Sequence, residues 1–100
     1  MNITKKSDGT VLTVLVEGRL DAKTSPDFFD DMKNSIDNVT ELILDFDNLD
    51  YISSAGLRSI LSLLKIMNTK GDMKIINVSE KVMSVFEVTS FTDILDISQK

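Results

Sequence analysis

Three short apolar segments alternate with segments of helical periodicity, and this alternation limits the folds open to the chain more than any other feature. The apolar segments are Val11–Val16, Glu41–Phe46 and Met73–Val78. Segments of this length and composition are typical of buried strands, and strands separated by helices form parallel sheets. The sequence therefore predicts an α/β fold with a mixed, mostly parallel sheet and helices packed on the sheet.

The two ends of the chain are each predicted to add a strand to this sheet. Ile3–Lys6 precedes the turn Ser7–Thr10, whose Asp-Gly pair is typical of a β-hairpin. Ile94–Ile97 is a short apolar segment at the other end. The predicted order is β-β-α-β-α-β-α-β, in a single domain over residues 1–100, which is enough chain for one hydrophobic core.

Each predicted helix begins at a serine. Ser25 is predicted as the N-cap of the first helix, with Pro26 at its first helical position. The pair Ser53–Ser54 stands at the start of the second helix, which extends to about Thr69, and Ser79 is predicted to cap the third. Helix starts have unpaired backbone N–H groups and partial positive charge, so they suit hydroxyls, carboxylates and phosphates.

Composition excludes several classes of function. The chain has no cysteine and no histidine, which excludes disulfides, thiol catalysis, Ser-His nucleophilic pairs and ordinary zinc sites. The net charge is −5 without a basic run, so no nucleic acid is expected as a partner. Neither a signal peptide nor an apolar run of roughly 18 residues is visible. We expect a cytoplasmic protein with no direct membrane insertion.

Acidic and hydroxyl side chains follow two of the predicted strands. If those strands are neighbours, Asp21, Asp47, Asp50 and the Ser53–Ser54 pair share one rim of the sheet, because parallel strands end at the same edge. An enzyme hypothesis would use these aspartates with Asp45 to hold Mg²⁺ for phosphoryl chemistry. Solvated loop acids are far commoner, and the chain lacks a glycine-rich phosphate loop.

Two segments carry a resemblance to a known family. Gly18–Ala22 reads Gly-Arg-Leu-Asp-Ala, and Leu49–Leu57 reads Leu-Asp-Tyr-Ile-Ser-Ser-Ala-Gly-Leu. Together, at this separation and in this β/α order, they resemble the STAS domain, and within it the small anti-sigma factor antagonists, or anti-anti-sigma factors. The resemblance covers essentially the whole chain.

The resemblance implies a phosphorylation switch with no cofactor and no catalytic activity of its own. In that family, a serine two residues before the motif glycine is phosphorylated by a partner that is both anti-sigma factor and serine kinase; that position is Ser54. The unphosphorylated form captures the kinase and releases a sigma factor, and a metal-dependent serine phosphatase restores this form. Many members have aspartate before the acceptor and a second hydroxyl after it, where this chain has Ser53 and Ala55. Ser53 therefore stays open as an alternative acceptor.

The partner surface is predicted around the start and polar side of the second helix. On a helical wheel, Ser54, Arg58 and Ser62 share one polar side, and Ile66 lies at its margin. Without the resemblance, both serines are most simply helix caps and Asp21 a turn residue. A non-switching STAS docking subunit of a transport system or other signalling complex is the alternative function. The predicted partner-binding residues are Asp21, Ser53, Ser54, Gly56, Arg58, Ser62 and Ile66.

Overall fold

A computed structural model describes residues 1–100 of the chain. It contains six strands, three α-helices and one turn of 3₁₀-helix. The strands are β1 (Asn2–Asp8), β2 (Val11–Leu20), β3 (Glu41–Asp45), β4 (Leu49–Ile52), β5 (Asp72–Val78) and β6 (Asp96–Gln99). The helices are α1 (Ser25–Ser35), α2 (Ser54–Met67) and α3 (Glu80–Val88), and the 3₁₀ turn is Phe91–Asp93.

The strands form a mixed sheet in the order β1-β2-β3-β5-β6. The hairpin partner β1 is antiparallel to β2, and the pairs β2–β3, β3–β5 and β5–β6 are all parallel. Gly9, in the turn between β1 and β2, has a φ of +60°, a conformation that glycine adopts without a steric penalty. The predicted α/β class and the mostly parallel sheet are confirmed.

The helices cover one face of the sheet. Side chains alternate between the two faces of a strand, and the buried positions of the central strands share one face because the register aligns Leu12 with Leu42 and Leu42 with Met73. Phe28, Ile60 and other apolar side chains of the helices complete a core of 25 buried residues. None of the helices has the length and apolar character needed to cross a membrane.

Strand β4 was not predicted. The sequence between β3 and α2 was interpreted as an acidic turn, because β4 has only four residues and Asp50 interrupts it. The structure pairs β4 in parallel with the end of β2, beyond the part of β2 that pairs with β3. A bulge between Gly18 and Arg19 accompanies this change of partner; Gly18 has a φ of +98° and donates its backbone N–H to the carbonyl of Asn48 at 3.0 Å.

Two predicted boundaries were wrong. The N-cap of α1 is Thr24, and Ser25 is the first helical residue, because the N–H of Ser25 already donates to the carbonyl of Asp21 in the preceding turn. The last strand begins at Asp96, because the chain before it turns back on itself: the N–H of Ile94 donates to the carbonyl of Phe91.

Candidate functional site

Ser53 joins the sheet to the start of α2. Its backbone N–H donates to the carbonyl of Leu20, at the end of β2, over 2.9 Å. Its backbone is extended, and its Oγ accepts the backbone N–H of Gly56 at 3.3 Å. Ser53 is therefore the N-cap of α2 and satisfies one of the four backbone donors that a helix start leaves free.

Ser54 is the first residue of α2 and is exposed. With Ser53 as the cap, the Ser54 hydroxyl has no part in the capping hydrogen bond. The first turn of α2 also contains no acidic residue, whereas α1 has Asp27 and α3 has Glu80 in theirs. No carboxylate of its own first turn therefore balances the partial positive charge of the α2 start.

Gly56 brings α2 against the end of β2. A Cβ on this residue would lie 2.6 Å from the carbonyl oxygen of Leu20 and 2.8 Å from Cγ1 of Ile52. Only glycine permits this approach without displacement of the backbone. Gly56 was predicted as a partner-binding residue; it is buried, and it sets how closely the start of α2 approaches β2.

Asp21 closes the turn between β2 and α1. Its Oδ1 accepts the backbone N–H groups of Lys23 at 3.0 Å and Thr24 at 3.1 Å, and also the Thr24 hydroxyl. The backbone hydrogen bond from Thr24 is the main reason that the pKa of Asp21 lies below its ordinary value. A carboxylate with a lowered pKa adds stability above the ordinary carboxyl pKa, and this stability is lost as the pH falls through the lowered value.

Arg19 and Tyr51 lie beside this turn, and the sequence analysis did not predict them as site residues. Parallel pairing of β2 and β4 places the two residues opposite each other. The guanidinium of Arg19 lies 4.2 Å from the centre of the Tyr51 ring, and its Nε is 3.5 Å from Oδ2 of Asp21. The pairing depends on β4, so no local sequence signal indicated it.

A groove of about 280 Å³ lies between α1 and α2. On α2, Arg58 and Ser62 are exposed and line it, whereas Ile66 is half-buried against the core. Ser59, which was not predicted, is half-buried at the groove and donates its hydroxyl to the carbonyl of Ala55 at 3.3 Å. The lining residues are Ala22, Ser25, Pro26, Phe29, Ala55, Arg58, Ser59 and Ser62.

The predicted rim is only partly assembled. Asp21 and Ser53 are brought together, because each adjoins the Leu20–Ile52 pair of β2 and β4. Asp47 lies before β4, at its opposite end, and pairs with Lys100 at 3.3 Å.

The aspartates of the magnesium hypothesis do not converge. Asp45 accepts hydrogen bonds from the backbone of Asp47 and the side chain of Asn77, and Asp50 is exposed on β4. No group of three or more acidic side chains in the protein is placed to hold a metal ion. The cluster on which the enzyme hypothesis depends is therefore not formed.

Comparisons with known proteins show the family and the fold of the chain. The model of the STAS domain family matches residues 2–100. The anti-sigma-B factor antagonist of Bacillus subtilis is 25% identical over 101 residues, covering 100% of this chain and 93% of that protein. Among solved structures, a candidate anti-sigma factor antagonist from Thermotoga maritima superposes with a TM-score of 0.90 at 19% identity, over 98% of this chain and 86% of that one.

The same fold occurs in the anti-sigma factor antagonist SpoIIAA. Its unphosphorylated form superposes with a TM-score of 0.76 at 16% identity, over 99% of this chain and 88% of that chain. The phosphorylated form of SpoIIAA from Bacillus superposes with a TM-score of 0.75 at 16% identity, over 99% of this chain and 93% of that chain.

Proposed function

Because the chain belongs to the STAS domain family, we propose that it is an anti-sigma factor antagonist that is switched by phosphorylation at Ser54. In its unphosphorylated form it binds an anti-sigma factor that is also a serine kinase, and a sigma factor is released. Phosphorylation ends this binding, and a metal-dependent serine phosphatase restores it. The chain acts as a binding module and kinase substrate, with no catalytic activity of its own.

The observation that carries the proposal is the division of roles between the two serines. Ser53 caps α2 through its Oγ, and Ser54 is exposed at the first helical position. A kinase therefore reaches the Ser54 hydroxyl without breaking the cap. Modification of Ser53 would instead place the phosphate on the oxygen that accepts the Gly56 N–H. This difference favours Ser54 over Ser53 as the acceptor.

The switch lies in the interface, because the fold tolerates the modification. A phosphate carries about −1.5 to −2 charges near neutral pH, and a helix start stabilises such a group by about 0.3–1 kcal/mol when it is exposed. The domain therefore keeps its structure. A partner that packs against the Ser54 hydroxyl would have to remove water from a strongly hydrated dianion, which is costly.

The proposed partner surface extends from the region of Ser54 along α2. Asp21 and Ser53 adjoin the paired ends of β2 and β4, and Arg58 and Ser62 continue along the exposed side of α2. Ile66 extends this surface at the edge of the core.

Incubation with the cognate anti-sigma serine kinase and ATP tests the proposal. Mass spectrometry should find one added phosphate on Ser54, none on the variant Ser54→Ala, and one on Ser53→Ala. Ser84→Ala, which removes an exposed hydroxyl from α3, serves as a control and should be phosphorylated normally. Phosphate lost from Ser53→Ala and retained by Ser54→Ala would move the acceptor to Ser53. Tight partner binding without any phosphate transfer would favour a non-switching docking subunit.

A further inference from the structure

Arg58 is the only charged residue in the first ten positions of α2. It lies four residues after Ser54, so the two side chains share one side of the helix. Long side chains in a helix extend back toward its N-terminus, so the guanidinium is within reach of the Ser54 turn. Arg58 is exposed, and all three salt bridges of the protein are formed by other residues. Its guanidinium is therefore free to receive an anion.

Arg58 also lines the groove between α1 and α2. The other seven lining residues are alanines, serines, a proline and a phenylalanine, so Arg58 supplies the only charge. One flexible side chain thus borders both the modification site and the groove. A change in the position of the guanidinium would therefore alter the charge and the shape of the groove without any movement of the backbone.

We infer that Arg58 transmits the phosphorylation state of Ser54 to the α1–α2 groove. This inference rests on the proposed function for the identity of the acceptor. A phosphate on Ser54 forms charge-assisted hydrogen bonds with the guanidinium of Arg58, and the side chain is drawn out of the groove toward the helix start. The groove becomes uncharged and more open, so a partner residue that fits the unphosphorylated groove no longer fits.

Other cations are less able to take this role. Arg19 is already held by the carboxylate of Asp21 and the ring of Tyr51. Lys65, the next cation along α2, lies eleven residues from Ser54, or about 16 Å along the helix axis. Arg58 is the cation of α2 that reaches the phosphate within one turn.

The test uses the full chain with phosphoserine incorporated at position 54 during synthesis, so no kinase is required. A ³¹P NMR titration measures the second pKa of the phosphate, which is about 6 for an unperturbed phosphoserine. Arg58→Gln should raise this pKa by about 0.3 or more relative to the unsubstituted chain, as expected for loss of an exposed i,i+4 ion pair. The matched variant Lys65→Gln should leave it unchanged. Equal values for Arg58→Gln and the unsubstituted chain would overturn the inference.

A second measurement follows the groove itself. Phosphorylation should shift the NMR signals of the Phe29 ring and the Ser62 amide, which line the groove, and these shifts should disappear in phosphorylated Arg58→Gln. Shifts that persist without the arginine would overturn the inference, even if Ser54 is a genuine kinase acceptor. Conversely, a kinase that ignores Ser54 would refute the proposed function without changing either NMR result.

Discussion

Helices α2 and α3 begin with the same cap and differ in the residue that follows it. Ser53 and Ser79 each have an extended backbone, and each accepts a backbone N–H from three residues further on at 3.3 Å. The next residue is the neutral, exposed Ser54 in α2 and the acidic, exposed Glu80 in α3. One helix start thus has a negative charge, and the other has a neutral hydroxyl to which the proposed phosphorylation would add one.

The two starts also differ in what lies beneath them. The N–H donor to the cap is Gly56 in α2 and the buried Val82 in α3. Gly56 permits α2 to approach the backbone of β2 so closely that no side chain fits between them. The start of α2 thus lies close against the sheet, and its first turn has no charge of its own.

Gly56→Ala should have the largest effect on stability. The added methyl would lie 2.6 Å from the carbonyl oxygen of Leu20, so the helix must move, and we expect the free energy of unfolding to fall by about 1–3 kcal/mol. Urea denaturation measures this change. Lys81→Ala, at an exposed position in the first turn of α3, is the control and should stay within about 0.5 kcal/mol of the parent. A fully stable Gly56→Ala would disprove the close approach.

Removal of the two caps should have equal and smaller effects. Ser53→Ala and Ser79→Ala should each lower the free energy of unfolding by about 1 kcal/mol, because each removes one capping hydrogen bond. Ser54→Ala should change it by less than about 0.5 kcal/mol. The same urea titrations provide the comparison. If Ser54→Ala were as destabilising as Ser53→Ala, the assignment of the cap to Ser53 alone would fail.

Exchange of charge between the two starts should have the smallest effect. Ser54→Asp should raise the free energy of unfolding by about 0.3–1 kcal/mol, and Glu80→Gln should lower it by a similar amount, because both act on a helix dipole. Thermal melts at low salt and at 1 M salt measure both changes, which should fade at high salt. Destabilisation by Ser54→Asp would show that the start of α2 does not accept negative charge.

The sequence was sufficient to predict those parts of the fold that depend on a local pattern of residues. The short apolar segment that forms β3 and the capping serine Ser79 were both recognised, because their signals lie within a few residues. The N-cap of α1 was predicted one residue too late. The Ser25-Pro26 pair is a common helix start, but the turn around Asp21 begins the helix earlier, and that turn depends on several hydrogen bonds at once.

The sequence named candidate residues for the site but did not predict their arrangement. The strand β4 is too short to give a pattern of its own, and it decides which side chains meet. It brings Arg19 and Tyr51 together and separates Asp47 from Ser53. The sequence also did not distinguish which of two adjacent serines caps α2, because that depends on the geometry of the chain entering the helix.

The central claim is that phosphate at the start of α2, and not elsewhere on the surface, ends partner binding. The most direct measurement is the affinity of the cognate anti-sigma serine kinase for three forms of the chain: unmodified, with phosphoserine at Ser54, and with phosphoserine at the exposed Ser84 of α3. We predict that the phosphate at Ser54 weakens binding by about tenfold or more, equivalent to about 1.4 kcal/mol, and that the phosphate at Ser84 leaves the affinity unchanged. Equal affinities for all three forms would contradict the account.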